Sequence, residues 1–218
     1  MITWSEIETV LLDMDGTLLD LHFDNYFWME YLPKIYSETK TVELETAIDY
    51  LHGRFEREQG TMSWYCLDYW TEELQLDIAA LKKNVESKIA VRPFVEEFLS
   101  ALARQGKQVI LVTNAHRGSL NLKMERTRLQ EYFDAMVSSH DYGVPKEQTT
   151  LWEALHADFH FEPSKTLLID DNETVLVAAE SFGVGHLVTV IQPDLQKPPR
   201  QALRYPAITH FDDIMPHE

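Results

Sequence analysis

Apolar residues gather in five short runs, at Thr9–Met14, Gln108–Thr113, Ala135–Ser139, Thr166–Asp170 and His186–Ile191. Each is too short for a helix and rich in Val, Ile or Leu, the pattern of strands covered on both faces. Stretches long enough for crossover helices separate the second run from the third, the third from the fourth and the fourth from the fifth. Strands so connected run parallel, which predicts a doubly wound α/β core.

The alternation fails between about Leu21 and Val91, an interval with no strand pattern and far too long for a plain connection. Its strings DNYFWMEYL, VELETAIDYLHGRFERE, SWYCLDYWTEELQ and DIAALKKNVESKI repeat apolar residues every three or four positions, with Ser63 and Asp77 as candidate caps. Residues 21–91 are therefore expected to form a small helical bundle inserted into a core made of 1–20 and 92–218. The core resumes with FVEEFLSALARQG, where Pro93 suits a helix's first turn and Gly106 its end. Gln192–Pro206, with four prolines, reads as a surface loop ahead of a short ITHF strand and a DDIMP turn. The chain shows no internal repeats.

With 218 residues, 44% of them hydrophobic, the chain suits one core carrying an insertion better than two independent domains. Charged residues at 25% with eight glycines and nine prolines exclude collagenous or wholly disordered classes. The 36 acidic against 19 basic side chains leave a net charge of −17, which argues against a general grip on nucleic acid or anionic lipid. Any anionic ligand must be held locally. The single cysteine, Cys66, excludes an internal disulfide and a multi-thiolate zinc site, and in WYCLDYW it reads as a small buried hydrophobe. No apolar run approaches the ~18 residues of a membrane helix, and MITWSEIETV has neither a basic lead nor an apolar stretch, so the cytosol is expected.

Parallel sheets bind ligands beyond the carboxyl ends of their strands. Asp13 and Asp15 follow the first run at i and i+2, with Gly16 free to turn the backbone behind them. A bare Asp-Gly pair is usually a solvated turn, but this one ends a strand expected to be central. Two carboxylates about 4 Å apart repel by roughly 4 kcal/mol at an effective dielectric of 20, so one holds a proton or a cation lies between them. Asp170 and Asp171 end another run and add oxygens of the kind Mg²⁺ accepts; each also suits the cap of a helix starting near Glu173. Thr113 and Asn114 fit either a helix cap or an anion site. Lys146 gains meaning only from the Gly143-Val144-Pro145 turn that precedes it.

The ordered set DMDGT, Thr113 with Asn114, Lys146 and the Asp170-Asp171 pair resembles the four motifs of the haloacid dehalogenase superfamily. The resemblance implies a Rossmann-like core with an inserted helical cap. It assigns Asp13 as nucleophile and Asp15 as general acid and base. It places Asp13, the backbone carbonyl of Asp15 and Asp171 on Mg²⁺, with Asp170 acting directly or through water. Thr113, the N–H of Asn114 and Lys146 would hold the phosphoryl group. An acid at Asp15 points to phosphate esters rather than halides. The strings DNYFW, SWYCLDYW and TNAH are similar to those of superfamily members that hydrolyse GMP and IMP, so the expected ligand is a purine nucleoside monophosphate. A sugar phosphatase, a phosphomutase and a nonhydrolytic nucleotide- or metal-binding protein are the alternatives. Of the aromatic residues Tyr26, Phe27, Trp28, Tyr31, Trp64, Tyr65, Tyr69 and Trp70, most are expected in the bundle core, with one or two against a base. His22, Phe23, Asp24 and Asn25 are candidates to face the leaving group, and His116 and Arg117 to lie beside the phosphate. Nothing in the sequence sets an oligomeric state.

Overall fold

Val10, Leu11 and Leu12 are wholly shielded from solvent, which explains the unbroken apolar run around them. They lie in β1 (Thr9–Leu12), joined by β2 (Gln108–Thr113), β3 (Ala135–Ser138), β4 (Thr166–Ile169), β5 (His186–Val190) and β6 (Ala207–Ile208). In this computed structural model, which describes residues 2–216, the six form one parallel sheet in the order β3-β2-β1-β4-β5-β6. Leu12 is level with Leu111 of β2 and Ile169 of β4, so the residues that follow these strands emerge side by side.

Between β1 and β2 the chain forms α1 (His22–Tyr26), a π-helical turn at Phe27–Tyr31, α2 (Leu32–Lys40), α3 (Leu44–Glu58), α4 (Met62–Tyr65), α5 (Leu67–Leu74) and α6 (Ile78–Asn84). Trp70 is completely buried among them, its ring 5.2 Å from Phe55, 5.8 Å from Trp28 and 6.2 Å from Trp64. The two segments that lead into and out of these helices pair with each other: Asp20 N–H donates to Ala90 O at 2.9 Å and Arg92 N–H to Leu18 O at 3.0 Å.

The remaining helices are α7 (Val95–Arg104), α8 (Arg117–Thr127), α9 (Thr149–Phe159) and α10 (Glu173–Phe182). Alternation along the strands sorts them into layers. Val10, Leu12, Val109 and Leu111 share a core with Phe98, Leu102 and Leu120 of α7 and α8. Leu11, Ile110 and Leu168 share the other with Trp152, Leu155 and Leu176 of α9 and α10.

Several local expectations shift. Asp77 caps α6 by accepting from Ala80 N–H, but Thr61, rather than Ser63, caps α4. Pro93 lies ahead of α7, whose N-cap is Phe94 in the left-handed region at φ 63°. The last strand is only Ala207–Ile208, because Phe211 turns inward to pack 4.8 Å from Phe98. The proline-rich loop is not merely superficial: Asp194 is buried within it, and Arg200 donates to Asp171 O at 2.7 Å.

Candidate active site

The ends of β1, β2 and β4 open into a cavity of about 600 Å³ roofed by the inserted helices. Asp13, Asp15, Thr113, Asn114, Lys146, Asp170 and Asp171 all line it, although up to 158 positions separate them in the chain.

Lys146 is the centre of this arrangement. Its ammonium donates to Asp13 Oδ1 at 2.5 Å, Asp170 Oδ2 at 2.7 Å and Val112 O at 3.1 Å. Asn114 Oδ1 accepts from Lys146 N–H at 2.9 Å, while Trp152 Nε1–H donates to its carbonyl at 2.9 Å. The side chain is therefore held at both ends. Burial works against its charge, yet Asp13 and Asp170 hold its pKa above the ordinary lysine value.

One ammonium does not neutralise three carboxylates. Asp13, Asp170 and Asp171 offer ligand oxygens all within 4.8 Å of one another. Burial pushes Asp13 up to about 6 despite Lys146. It pushes Asp171 well above the carboxylate range, with Asp13 and Asp170 adding to the shift. Such a cluster of hard oxygens with surplus negative charge fits a divalent cation. Gly16 stands directly behind it at φ +85°, where an added Cβ would lie 2.7 Å from Asp171 Oδ2. Asp170 is otherwise engaged, Oδ2 by Lys146 and Oδ1 by Asn172 N–H at 2.9 Å.

Asp15 faces a different cation. Lys123 of α8, wholly buried, donates to Asp15 Oδ1 and Asp24 Oδ2, both at 2.6 Å, and Lys82 of α6 donates to Asp24 Oδ1 at 2.6 Å. Burial lifts Asp15 to about 6 against the pull of Lys123. Asp24 goes the other way: although burial would raise it, Lys123 and Lys82 hold it well below the ordinary range.

Thr113 and Asn114 do not cap α8; His116 does, accepting from Gly118 N–H. Thr113 Oγ1 accepts from Ala115 N–H, and Asn114 Nδ2–H donates to Glu147 at 2.9 Å. Neither Asp170 nor Asp171 caps α10, because Asn172 accepts from Thr174 N–H.

Trp28, Trp64 and Tyr65 reach the cavity; Phe27 and Trp70 are fully buried. Asp24 and Asn25 line it as well, whereas His22 approaches Asp194 at 3.9 Å and Phe23 is buried. His116 is at its wall, but Arg117 turns outward to pair with Asp141. Cys66 is half-buried rather than buried, and its sulfur accepts from Tyr69 N–H at 3.5 Å, capping α5.

Residues 10–189 match the family of haloacid dehalogenase-like hydrolases. The chain belongs to this family. It is 40% identical over 215 residues to GMP/IMP nucleotidase YrfG of Escherichia coli, covering 99% of this chain and 97% of that protein. It is 25% identical over 191 residues to a phosphorylated carbohydrates phosphatase of Thermotoga maritima, covering 85% of this chain and 86% of that protein. In fold it resembles an HAD phosphatase from Thermococcus onnurineus, with a TM-score of 0.79 over 95% of this chain and 96% of the other at 20% identity. As a member of this family the chain is a hydrolase with the α/β core built above.

Lys123, Lys82, Glu147 and Arg200 line or buttress this cavity without belonging to any motif in the sequence. Glu147 directly follows Lys146 and accepts from Asn114, Tyr65 and Asn172, linking the lysine turn to the inserted helices and to the start of α10.

Proposed function

We propose that the chain is a Mg²⁺-dependent phosphomonoesterase that hydrolyses purine nucleoside 5′-monophosphates such as GMP and IMP to nucleoside and phosphate. The supporting observation is the convergence of Asp13, Asp15, Lys146 and Asp171 on one cavity. The purine specificity rests on the nucleotidase relative, and Trp28, Trp64 and Tyr65 offer aromatic faces to a base.

Asp13 is the nucleophile. Its carboxylate attacks phosphorus and forms an aspartyl-phosphate while Asp15 donates its proton to the departing oxygen. Asp15, then ionised, takes a proton from the water that cleaves the acyl phosphate. Thr113 and the Asn114 N–H receive the phosphoryl oxygens, and Lys146 offsets their charge. Asp13, Asp171 and the carbonyl of Asp15 would hold Mg²⁺, which neutralises charge on the nucleophile and phosphate. Asp170 acts through Lys146. Asp13, Asp171 and a phosphate dianion carry −4, opposed by +3 from Mg²⁺ and Lys146, apart from the charge that Asp170 adds beside Lys146. Local charge therefore governs binding, since distant acids are screened beyond a Debye length of about 8 Å.

Residues 21–91 are the cap over this site, and 1–20 with 92–218 the catalytic core. A nucleotide substrate and an unpaired thiol suit the cytosol; among the described residues no helix is long and apolar enough to cross a membrane.

The test is phosphate release with Mg²⁺ from GMP, IMP, AMP, pyrimidine monophosphates and sugar phosphates, repeated in EDTA. GMP and IMP are expected to lead, and chelation to stop release. No release from any monoester overturns the hydrolase, and release from sugar phosphates alone overturns the nucleotidase.

Two substitutions probe the roles. Asp15→Asn keeps the backbone carbonyl but loses the transferable proton. It should slow GMP hydrolysis by about 10²–10⁴-fold while slowing the first step with p-nitrophenyl phosphate much less, because that leaving group departs without protonation. Equal losses in burst kinetics with the two substrates would refute the acid assignment. Gly16→Ala drives a methyl into Asp171 and strains a left-handed backbone. The Mg²⁺ concentration for half-maximal turnover should rise by roughly 10–100-fold, and an unchanged value would separate Asp171 from the ion.

A further inference from the structure

Outside the aspartate cluster, Cys66, His116 and His140 each present a ligand atom within 4.8 Å of the other two. They come from three separate places: the junction of α4 and α5 in the cap, the N-cap of α8, and the turn after β3. The two imidazoles meet edge to face, 5.1 Å between centroids and 89° between planes. His140 Nε2 is buried and makes no hydrogen bond of good geometry, although the backbones of Tyr65 and Asn114 lie near enough to its ring to favour its protonated form. His116 Nδ1 accepts Gly118 N–H at 3.2 Å, which puts the neutral ring's proton on Nε2, 3.6 Å from Asp68; ligating a metal therefore gives up this N-cap bond and frees a lone pair.

We propose that Cys66, His116 and His140 form a binding site for a borderline-soft divalent cation of the Zn²⁺ class, and that the bound cation straps the cap to the core. One thiolate and two imidazoles are a donor set such cations prefer, whereas Mg²⁺ prefers the oxygen cluster nearby. Tetrahedral Zn–S and Zn–N lengths of about 2.3 and 2.0 Å place ligand atoms roughly 3.5 Å apart. The trio thus needs to contract by about 1 Å, and His116 to release Gly118 N–H, for all three atoms to meet one ion. Asp68, exposed beside His116, or a water supplies the fourth position, and the Cys66 thiol releases its proton on binding. Because Cys66 rides on the cap while both histidines belong to the core, occupancy opposes cap opening at the wall of the active-site cavity.

Co²⁺ added to the full chain in excess Mg²⁺ provides a direct probe. One equivalent should bind with a near-ultraviolet thiolate-to-cobalt charge-transfer band and intense tetrahedral visible bands, and one equivalent of Zn²⁺ should bleach them. Cobalt on the aspartates gives no such band, and Cys66 is the only thiol. Cys66→Ser retains a capping oxygen for α5 and should lose the charge-transfer band; His140→Ala should weaken cobalt binding by at least about tenfold. A wild-type spectrum without charge transfer, or unchanged affinity in folded His140→Ala, overturns the site. For the strap, near-stoichiometric Zn²⁺ should arrest turnover in the wild type but not in Cys66→Ser. Equal inhibition of both would put the inhibitory zinc elsewhere and overturn the strap. The spectra do not depend on turnover, so they stand apart from any failure of the phosphatase reading.

Discussion

Replacing Asp13 by Asn is expected to reduce phosphate release by at least about 10⁴-fold, the scale on which loss of a nucleophile is felt. The amide keeps the shape and can still meet Lys146 through its oxygen, but it cannot attack phosphorus. The fold should not suffer. Burial raises Asp13 from 3.8 to about 6 in the folded chain without metal. A group raised in this way gives its full stability below its unfolded pKa and loses it as pH climbs through the folded value. The wild type therefore loses stability between about pH 4 and 6, on the order of 3 kcal/mol for such a shift, and Asn does not. In EDTA, Asp13→Asn should melt at or above the wild-type temperature at pH 7, with the advantage fading toward pH 4. Mg²⁺ at about 1,000 times Kd should reverse the order, since it stabilises only a chain that binds it, by about 4.1 kcal/mol. Calorimetry across pH, with and without Mg²⁺, reads both effects. Retained turnover would remove Asp13 from the nucleophile's place, and a variant that melts lower in EDTA at pH 7 would refute the charge argument.

The strand pattern is legible because the middle of the sheet is covered on both sides, so β1 and β4 are buried along their whole length. The site is legible for a related reason: polar residues that interrupt these runs emerge together at one rim. What lies beyond the rim is not. Lys123 sits in RGSLNLKMERT, whose polar positions favour no face, and its burial comes from α6 and from Asp24, both distant in the chain, packing against α8. Its partners Asp15 and Asp24 are 108 and 99 positions away. The aromatic string around Cys66 suggests one continuous packed helix. In fact α4 ends at Tyr65, and Cys66 turns out of the helix to start the next one. Asp170 is the subtler case. Its position beside Asp171 suggests a shared duty, yet one of its oxygens is committed to Lys146 and the other to Asn172 N–H.

That commitment separates two jobs of Lys146. Lys146→Met removes the only cation within hydrogen-bonding distance of Asp13 and Asp170 among the described residues, leaving two buried carboxylates facing each other. Breaking a buried pair from one side costs about 3–5 kcal/mol, equivalent to a fall in Tm of roughly 6–20 °C for a chain of this size. Turnover should drop as well, because nothing else at that position offsets charge on the transferring phosphoryl group. Adding Asp170→Asn removes one of the stranded charges while its side-chain oxygen still accepts from Asn172. The double variant should therefore recover much of the lost stability and none of the lost turnover. Stability returning without activity marks Asp170 as the group that holds Lys146, and Lys146 as the group that meets substrate. If the double variant melts no higher than Lys146→Met, the two residues do not share one charge balance. If it regains turnover, the phosphoryl group never depended on the ammonium.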